Sequence, residues 1–310
     1  MLPGKRSEII RNLAARAGFQ HCGTAPAETL SAEALPYREW LDRQLWGNMD
    51  YLRKNYEKRL DPRTVMPEAR TVITLLTSYN PETGIPAEDN LIIARYARGR
   101  DYHERVKRML EEVTGGMAEA FGEIRCKRFV DSGVLLEKAW AQQCGVGWRG
   151  KNTLLINREH GSWFFIGIIF TDLETEYNIP EKDRCGACDR CIRACPTGAL
   201  EAPHLLNPLK CISYHTIENR ETIPDELSGK FSGRIFGCDI CQEVCPFNRE
   251  PYVNKDPGCQ PAPELVAMRR TDWENLTPEK FLCLFRGTPV SRTGYDLLLR
   301  NIRFVAKANG

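Results

Sequence analysis

The sequence predicts a mixed α/β (α+β) domain over residues 1–173, a bacterial ferredoxin-like domain with two [4Fe–4S] clusters over 174–250, and a short helical segment over 251–310. Three observations predict it. Apolar runs of strand length alternate with stretches of helical period as far as Thr171. Two cysteine runs follow, C-G-A-C-D-R-C-I-R-A-C-P from Cys185 and C-D-I-C-Q-E-V-C-P from Cys238. Between them and the first domain, Glu174 to Asp183 is polar and aperiodic, which marks a boundary.

The elements of the first domain follow from period and punctuation. Ser7 to Ala17 carries apolar residues at helical spacing, with Ser7 as N-cap and Gly18 as the stop. Phe19 to Thr24 reads as a short strand, Ser31 to Gln44 as a helix, and Gly47 to Tyr56 as a short helix or turn. Thr71 to Ser78 is a β-branched run and reads as a buried strand; Leu91 to Ala97 reads as another, beyond the polar loop Asn80 to Asn90. Asp101 to Phe121 is a long helix with its apolar face at Val106, Met109, Leu110, Val113, Met117 and Ala120. Ile124 to Val130 is a strand, Leu135 to Cys144 a helix, and Asn152 to Asn157 with Trp163 to Thr171 a final strand pair. Pro251 to Pro263 is a Pro-rich loop, and Thr277 to Lys307 gives two short helices split at Gly287 to Pro289.

Composition narrows the class. The 310 residues are 42% hydrophobic and 27% charged, which suits a globular protein of about two domains. No apolar run reaches the roughly 18 residues a membrane helix needs. A formal charge of +2 does not by itself announce nucleic acid, although a near-neutral total can hide local patches. Thirteen cysteines without an export signal indicate a reducing cytoplasm rather than a disulfide framework.

Counting thiolates assigns the clusters. Each cubane needs four, and in a two-cluster ferredoxin the last cysteine of a C-x2-C-x2-C-x3-C-P run ligates the other cluster. Cys185, Cys188 and Cys191 therefore take Cys245 as fourth ligand. Cys238 and Cys241 take Cys195 by the same crossover, and Cys211 fills the remaining place. C-x2-C pairs also build zinc ribbons, but three thiols at this spacing fit a tetrahedron poorly. Cys22, Cys126, Cys144, Cys259 and Cys283 are left over as small hydrophobes or incidental thiols.

Three places outside the clusters could carry chemistry. In Phe129-Val130-Asp131-Ser132-Gly133 a carboxylate falls between a strand and a helix, where it either caps the helix or acts as a catalytic group. Arg98-Gly99-Arg100-Asp101-Tyr102-His103 offers a phenol and an imidazole, and reads equally as a basic loop with Asp101 as helix cap. Gly145 to Asn152, with Trp148, Arg149 and Lys151 among three glycines, suits a loop that wraps a large planar or anionic cofactor and lacks a dinucleotide fingerprint. The C-terminal Arg286, Arg292, Arg300, Arg303 and Lys307 form either a solvated helix face or a phosphate-binding one.

Taken together these residues resemble the epoxyqueuosine reductases, cobalamin-dependent iron–sulfur enzymes of tRNA modification. The resemblance is carried by R-Y-A-R-G-R-D-Y-H (95–103), V-D-S-G-V-L-L-E-K (130–138), G-V-G-W-R-G-K-N-T (145–153), H-G-S-W-F-F-I-G (160–167), both cysteine runs, C-I-S-Y-H-T-I-E (211–218) and F-R-G-T-P-V (285–290). It implies two [4Fe–4S] clusters, base-off cobalamin held between the first domain and the ferredoxin-like domain, and a tRNA substrate carrying epoxyqueuosine at the wobble position. It also implies an external low-potential electron donor and reduction of the epoxide to queuosine as the last step of that biosynthesis. Asp131 matches the family's proton donor, with a carboxyl pKa expected to be raised by burial beside the corrin; Tyr102 and His103 match positions near the same face. Asp131, Trp148, Lys151, Ser213, Cys238 and Asp239 are the expected cobalamin contacts. A monomer in the cytoplasm with no membrane association is expected. Many members continue into C-terminal helical repeats that this chain, a short form, lacks, so the basic C-terminal helices and residues 95–108 are expected to hold more of the tRNA. Reductive dehalogenases, which share a cobalamin domain with two cubanes, are the alternative, reducing a small molecule instead.

Overall fold

The computed structural model describes residues 1–85, 90–131 and 134–307. Its centre is a four-stranded antiparallel sheet in the order His21–Pro26, Thr71–Ser78, Phe164–Thr171, Cys126–Phe129. Thr71 pairs with Thr171 and Ser78 with Phe164, so the two longest strands run the full width together. Every residue of Thr71–Ser78 is buried, because helices cover both faces of the sheet. Period two then sorts the strand: Ile73 and Leu75 face Ile10, Val106, Leu110 and Val113, while Val72 faces Leu60, Trp140 and Phe170. The architecture is thus mixed α+β, with the sheet sandwiched between helical layers.

Helix Pro3–Arg16 and helix Tyr102–Phe121 form one layer. The latter starts where the Asp101 carboxylate accepts the His103 amide N–H at 3.0 Å and stops at Gly122, φ +81. Its predicted apolar stripe is buried except Ala120, which is exposed. Helix Glu137–Gln143 lies on the other face. Gly23 lets the first strand approach that side, since a Cβ there would meet the Cys144 carbonyl at 1.9 Å.

Two predicted strands are corrected. Asn152 to Asn157 does not pair with the last strand; Leu155–Ile156 turns back on Trp148–Arg149, forming a hairpin of its own. Of Leu91 to Ala97 only Ile92–Ile93 is extended, and it pairs in parallel with Arg234–Phe236 from beyond the first cysteine run. Leu91, Ile93 and Ala97 accordingly belong to a second core with Ile212, Phe231, Phe236, Trp273, Phe285 and Ile302. Residues 86–89 of the polar loop lie outside the described residues.

The C-terminal helices Pro278–Phe285 and Tyr295–Lys307 pack into that same core. Arg300 explains how tightly: its guanidinium donates to the carbonyls of His215, Asn219 and Glu221 at 2.6, 2.8 and 2.5 Å. Among the described residues, no helix is long and apolar enough to cross a membrane.

Candidate active site and cluster sites

The eight predicted cysteines gather in two groups. Cys185, Cys188, Cys191 and Cys245 line one cavity together with Lys151, Asn152 and Phe247. Cys211, Cys238 and Cys241 form the second group, close enough to raise one another's thiol pKa, and Cys195 acts on Cys211 in the same way. Burial is the larger cause, pushing Cys238 up to about 12. Crowding buried thiols costs free energy that a bound cationic cluster would recover. The short helices Arg190–Ala194 and Ile240–Glu243 pack against each other, and Cys191 also acts on Cys241, so the groups adjoin.

Trp148 supports the same assignment from another direction. Its ring is fully buried edge-on against Phe247, 4.8 Å between centroids, and its indole N–H has no oxygen or nitrogen partner. The indole stands beside Cys185 and lowers that thiol's pKa against the larger upward effect of burial. A donor left over next to a ligand sulfur suits a cluster there. Trp148 is fully buried in this wall. Lys151 also belongs to this wall, its Nζ donating to the Gly186 carbonyl at 2.6 Å.

Asp131, Tyr102 and His103 converge. Tyr102 Oη donates to Asp131 Oδ2, and His103 Nε2 is 3.7 Å from the same oxygen. His103 is oriented from behind, its Nδ1 2.9 Å from Asp101 Oδ1. Asp101 is therefore both helix cap and second support of the site. Burial, then the Asp131 charge, push the Tyr102 phenol far above its ordinary value, keeping it a proton donor in the hydrogen bond. Phe165 stacks on the Tyr102 ring at 3.9 Å and fixes its plane.

Asp131 does not cap the following helix. That helix begins at Glu137 with no side-chain cap, and Asp131 itself sits at φ +47, a left-handed conformation aspartate tolerates better than most residues. Its amide N–H instead donates to Glu137 Oε1 at 2.8 Å. Ser132 and Gly133 lie outside the described residues. The Asp131 side chain is 55% exposed. Its neighbour Glu137 is half-buried, its carboxyl pushed up to about 7 by burial and then by the Asp131 charge.

The exposed Asp131 faces a cleft. Tyr51 and Lys138 are exposed to solvent, yet burial raises the Tyr51 phenol to about 12 and lowers the Lys138 ammonium. These side chains reach solvent while standing among protein, and the face they share is called the recess below. Asp131 acts on Tyr51 and Lys138 and, across the recess, on Glu218; Lys138 in turn senses Cys241. The recess thus lies between the first domain, helix Ile212–Ile217 and the second thiol group. Gly47, at φ +53, leaves room for Tyr214, whose hydroxyl accepts the Asn48 amide at 3.0 Å and so ties this loop to helix Ile212–Ile217. Ser213 is half-buried at the start of Ile212–Ile217. Cys238 is half-buried among the second thiols. Asp239, 4% exposed, accepts the Arg95 amide N–H on Oδ2 at 2.8 Å.

Sequence reasoning missed Glu137, and it named Arg292 only among the C-terminal cations of a solvated or phosphate-binding face. Glu137 is the penultimate residue of V-D-S-G-V-L-L-E-K, and its fixed distance from Asp131 was the available signal. Arg292 Nη2 donates to Asp101 Oδ2 at 2.5 Å and reaches His103 Nδ1 at 2.6 Å, so the C-terminal segment completes the support of His103. No local motif marks it.

A fused α+β domain and a double-cluster module, sharing one recess with a half-exposed carboxylic acid, define an iron–sulfur oxidoreductase. Residues 184–248 match the family model of a 4Fe-4S double cluster binding domain, and residues 59–132 match that of "Epoxyqueuosine reductase QueG, DUF1730". The chain is 41% identical over 301 residues to an epoxyqueuosine reductase of Cellulophaga algicola, covering 97% of this chain and 98% of the relative. It superposes with TM-score 0.89 and 27% identity on an epoxyqueuosine reductase solved with an epoxyqueuosine-modified tRNA-Tyr stem loop, covering 98% of this chain and 81% of that one. With TM-score 0.88 and 27% identity it superposes on the Bacillus subtilis enzyme, solved with its catalytic aspartate loop swung out of the active site, covering 98% and 82%. The chain belongs to the epoxyqueuosine reductase family.

Proposed function

We propose that this chain reduces epoxyqueuosine to queuosine at the wobble position of tRNA, the last step of queuosine biosynthesis, using cobalamin and two [4Fe–4S] clusters. The observation that carries it is Asp131, half exposed in a recess that the second thiol group adjoins, with Tyr102 and His103 on its carboxylate. Family membership supplies the substrate class.

The residues fit each group. Cys185, Cys188, Cys191 and Cys245 hold one cluster; Cys195, Cys211, Cys238 and Cys241 hold the other. Tyr51, Asp131, Lys138, Ser213 and Glu218 would hold cobalamin, with the second cluster beside them. When bound base-off, cobalamin supplies a strongly reducing, nucleophilic cobalt centre recharged by electrons from the clusters. The external low-potential donor feeds the chain from outside.

The net reaction takes two electrons and two protons, turning the epoxide into an alkene and water. Opening the epoxide builds negative charge on oxygen, and a positioned acid that delivers a proton there lowers the barrier, typically by 10²–10⁴-fold. Asp131 supplies that proton. Tyr102 orients the carboxyl, and His103, held by Asp101 and Arg292, relays a proton back to it. The tRNA backbone meets the cations left at the surface: Arg100, Lys107 and Arg108 on one side, Arg286 and Arg303 on the other. Arg300 is not among them, being turned inward. The division at 173/174 and 250/251, a monomeric state and a cytoplasmic site of action complete the reading.

The test is anaerobic incubation of the reduced protein with tRNA bearing epoxyqueuosine, with and without cobalamin, followed by nucleoside mass analysis. Conversion to a nucleoside one oxygen lighter, dependent on cobalamin, supports the reading. No conversion with cobalamin and both clusters present overturns it.

A further inference from the structure

Two of the chain's five histidines meet at the edge of the central sheet opposite the strand that leads to Asp131. His21 opens the first strand, and His160 sits in the tight turn that precedes the last one. His21 Nε2 and His160 Nδ1 are 2.8 Å apart, and a Glu159 carboxylate oxygen lies with both inside a sphere of mutual distances no greater than 4.8 Å. We propose that His21, His160 and Glu159 form a binding site for a divalent first-row transition cation, separate from the clusters and from the recess.

Three arguments support it. The first is spacing. With metal–nitrogen bonds of about 2.0–2.1 Å, two imidazoles at roughly 90–110° to each other stand about 2.9–3.4 Å apart. The pair reaches that range with a shift of a few tenths of an ångström. The second is donor chemistry. Two imidazoles and one carboxylate form the triad that suits zinc and ferrous iron, with further positions open to water. A cavity of about 260 Å³ opens here, lined by His21, Cys22, Asn157 and Glu159 and large enough for that water. Of its two cations, Arg184 is neutralised by Glu181 at 2.6 Å, leaving Arg158 on the rim.

The third is preorganisation. Asn157 is buried and bridges to Gly161 in both directions, at 2.6 and 3.1 Å. Its Oδ1 accepts the amides of Glu159 and His160 at 2.9 and 3.1 Å, while its Nδ2 holds the Val146 carbonyl at 2.9 Å. One buried amide therefore sets the backbone of both ligands from the turn. Phe164 and Tyr252 meet the two rings edge-on at 5.6 and 5.2 Å and limit their rotation. A histidine pair needs only its shared hydrogen bond; the shaped turn and the converging carboxylate go beyond that need.

The test uses the protein with both clusters assembled, cleared of loose metal by chelator and then equilibrated anaerobically with zinc. Elemental analysis of wild type should find about one tightly held zinc per chain beside the cluster iron. His21→Gln and His160→Gln should each weaken zinc binding by on the order of tenfold or more, with iron content unchanged. Zinc retention equal to wild type in both variants overturns the proposal. Should the variants fold poorly, wild-type crystals soaked in zinc decide it: an anomalous peak between His21, Glu159 and His160 supports the site, and none there removes it.

Discussion

Tyr102 donates its phenolic hydrogen to Oδ2 of Asp131, joining the first turn of the longest helix to a carboxylate that ends an edge strand. The bond fixes a side chain that is otherwise half exposed and whose backbone sits at positive φ. Tyr102→Phe keeps the ring stack on Phe165 and removes only the hydroxyl. A hydrogen bond to the neutral acid is worth about 0.5–1.5 kcal/mol, so kcat should fall roughly 2- to 10-fold. KM for tRNA should hold. A loss confined to KM would make Tyr102 a binding residue instead.

Glu137 gives the protein a pH signature. Its carboxyl is raised from 4.5 to about 7, chiefly by burial. Between those values the folded protein keeps a proton that the unfolded chain has released, so stability falls as pH rises across this window and levels off above it. Without cobalamin, the thermal midpoint of wild type should decline from pH 5 to 7.5 relative to Glu137→Gln, which cannot ionise. Parallel curves would show that Glu137 titrates normally.

The crossover of cluster ligands is tested at Cys211, the cysteine outside both runs. Cys211→Ser should cut iron from about eight to about four per chain while the other cluster's signal persists. Loss of both clusters, or of neither, would contradict the pairing.

Trp148 bears on the cluster at Cys185. A hydrogen bond to a ligand sulfur stabilises the more negative, reduced cluster and raises its potential. Trp148→Phe should therefore lower the potential of that cluster in a redox titration followed by electron paramagnetic resonance. An unchanged potential would leave the indole without a role there.

Local pattern made the elements readable wherever burial was one- or two-sided and continuous. Thr71 to Ser78 is apolar enough to declare itself a central strand, and Asp101 with its apolar stripe declares a helix. The cysteine groups were readable because ligand spacing is set by cluster geometry rather than by the fold around it. Partnerships across the chain were not. Ile92–Ile93 carries strand character, but nothing local says that its partner lies in Arg234–Phe236. Trp148 and Asp239 sit in motifs that read as cofactor loops, and only packing reveals that one backs a cluster cysteine and the other accepts the Arg95 amide N–H. The role of Arg292 was hidden for the same reason, since it joins His103 across 189 residues of sequence. Asp131 was named as the acid, while its neighbour Glu137, half-buried and pushed up to about 7, went unremarked.

The central claim is that Asp131 delivers the proton to the opening epoxide. It is tested most directly by single-turnover conversion of epoxyqueuosine tRNA by Asp131→Asn, with clusters, cobalamin and tRNA binding each verified beforehand. The predicted result is a rate reduced by about 10²–10⁴-fold with substrate still bound. Turnover at the wild-type rate would contradict it.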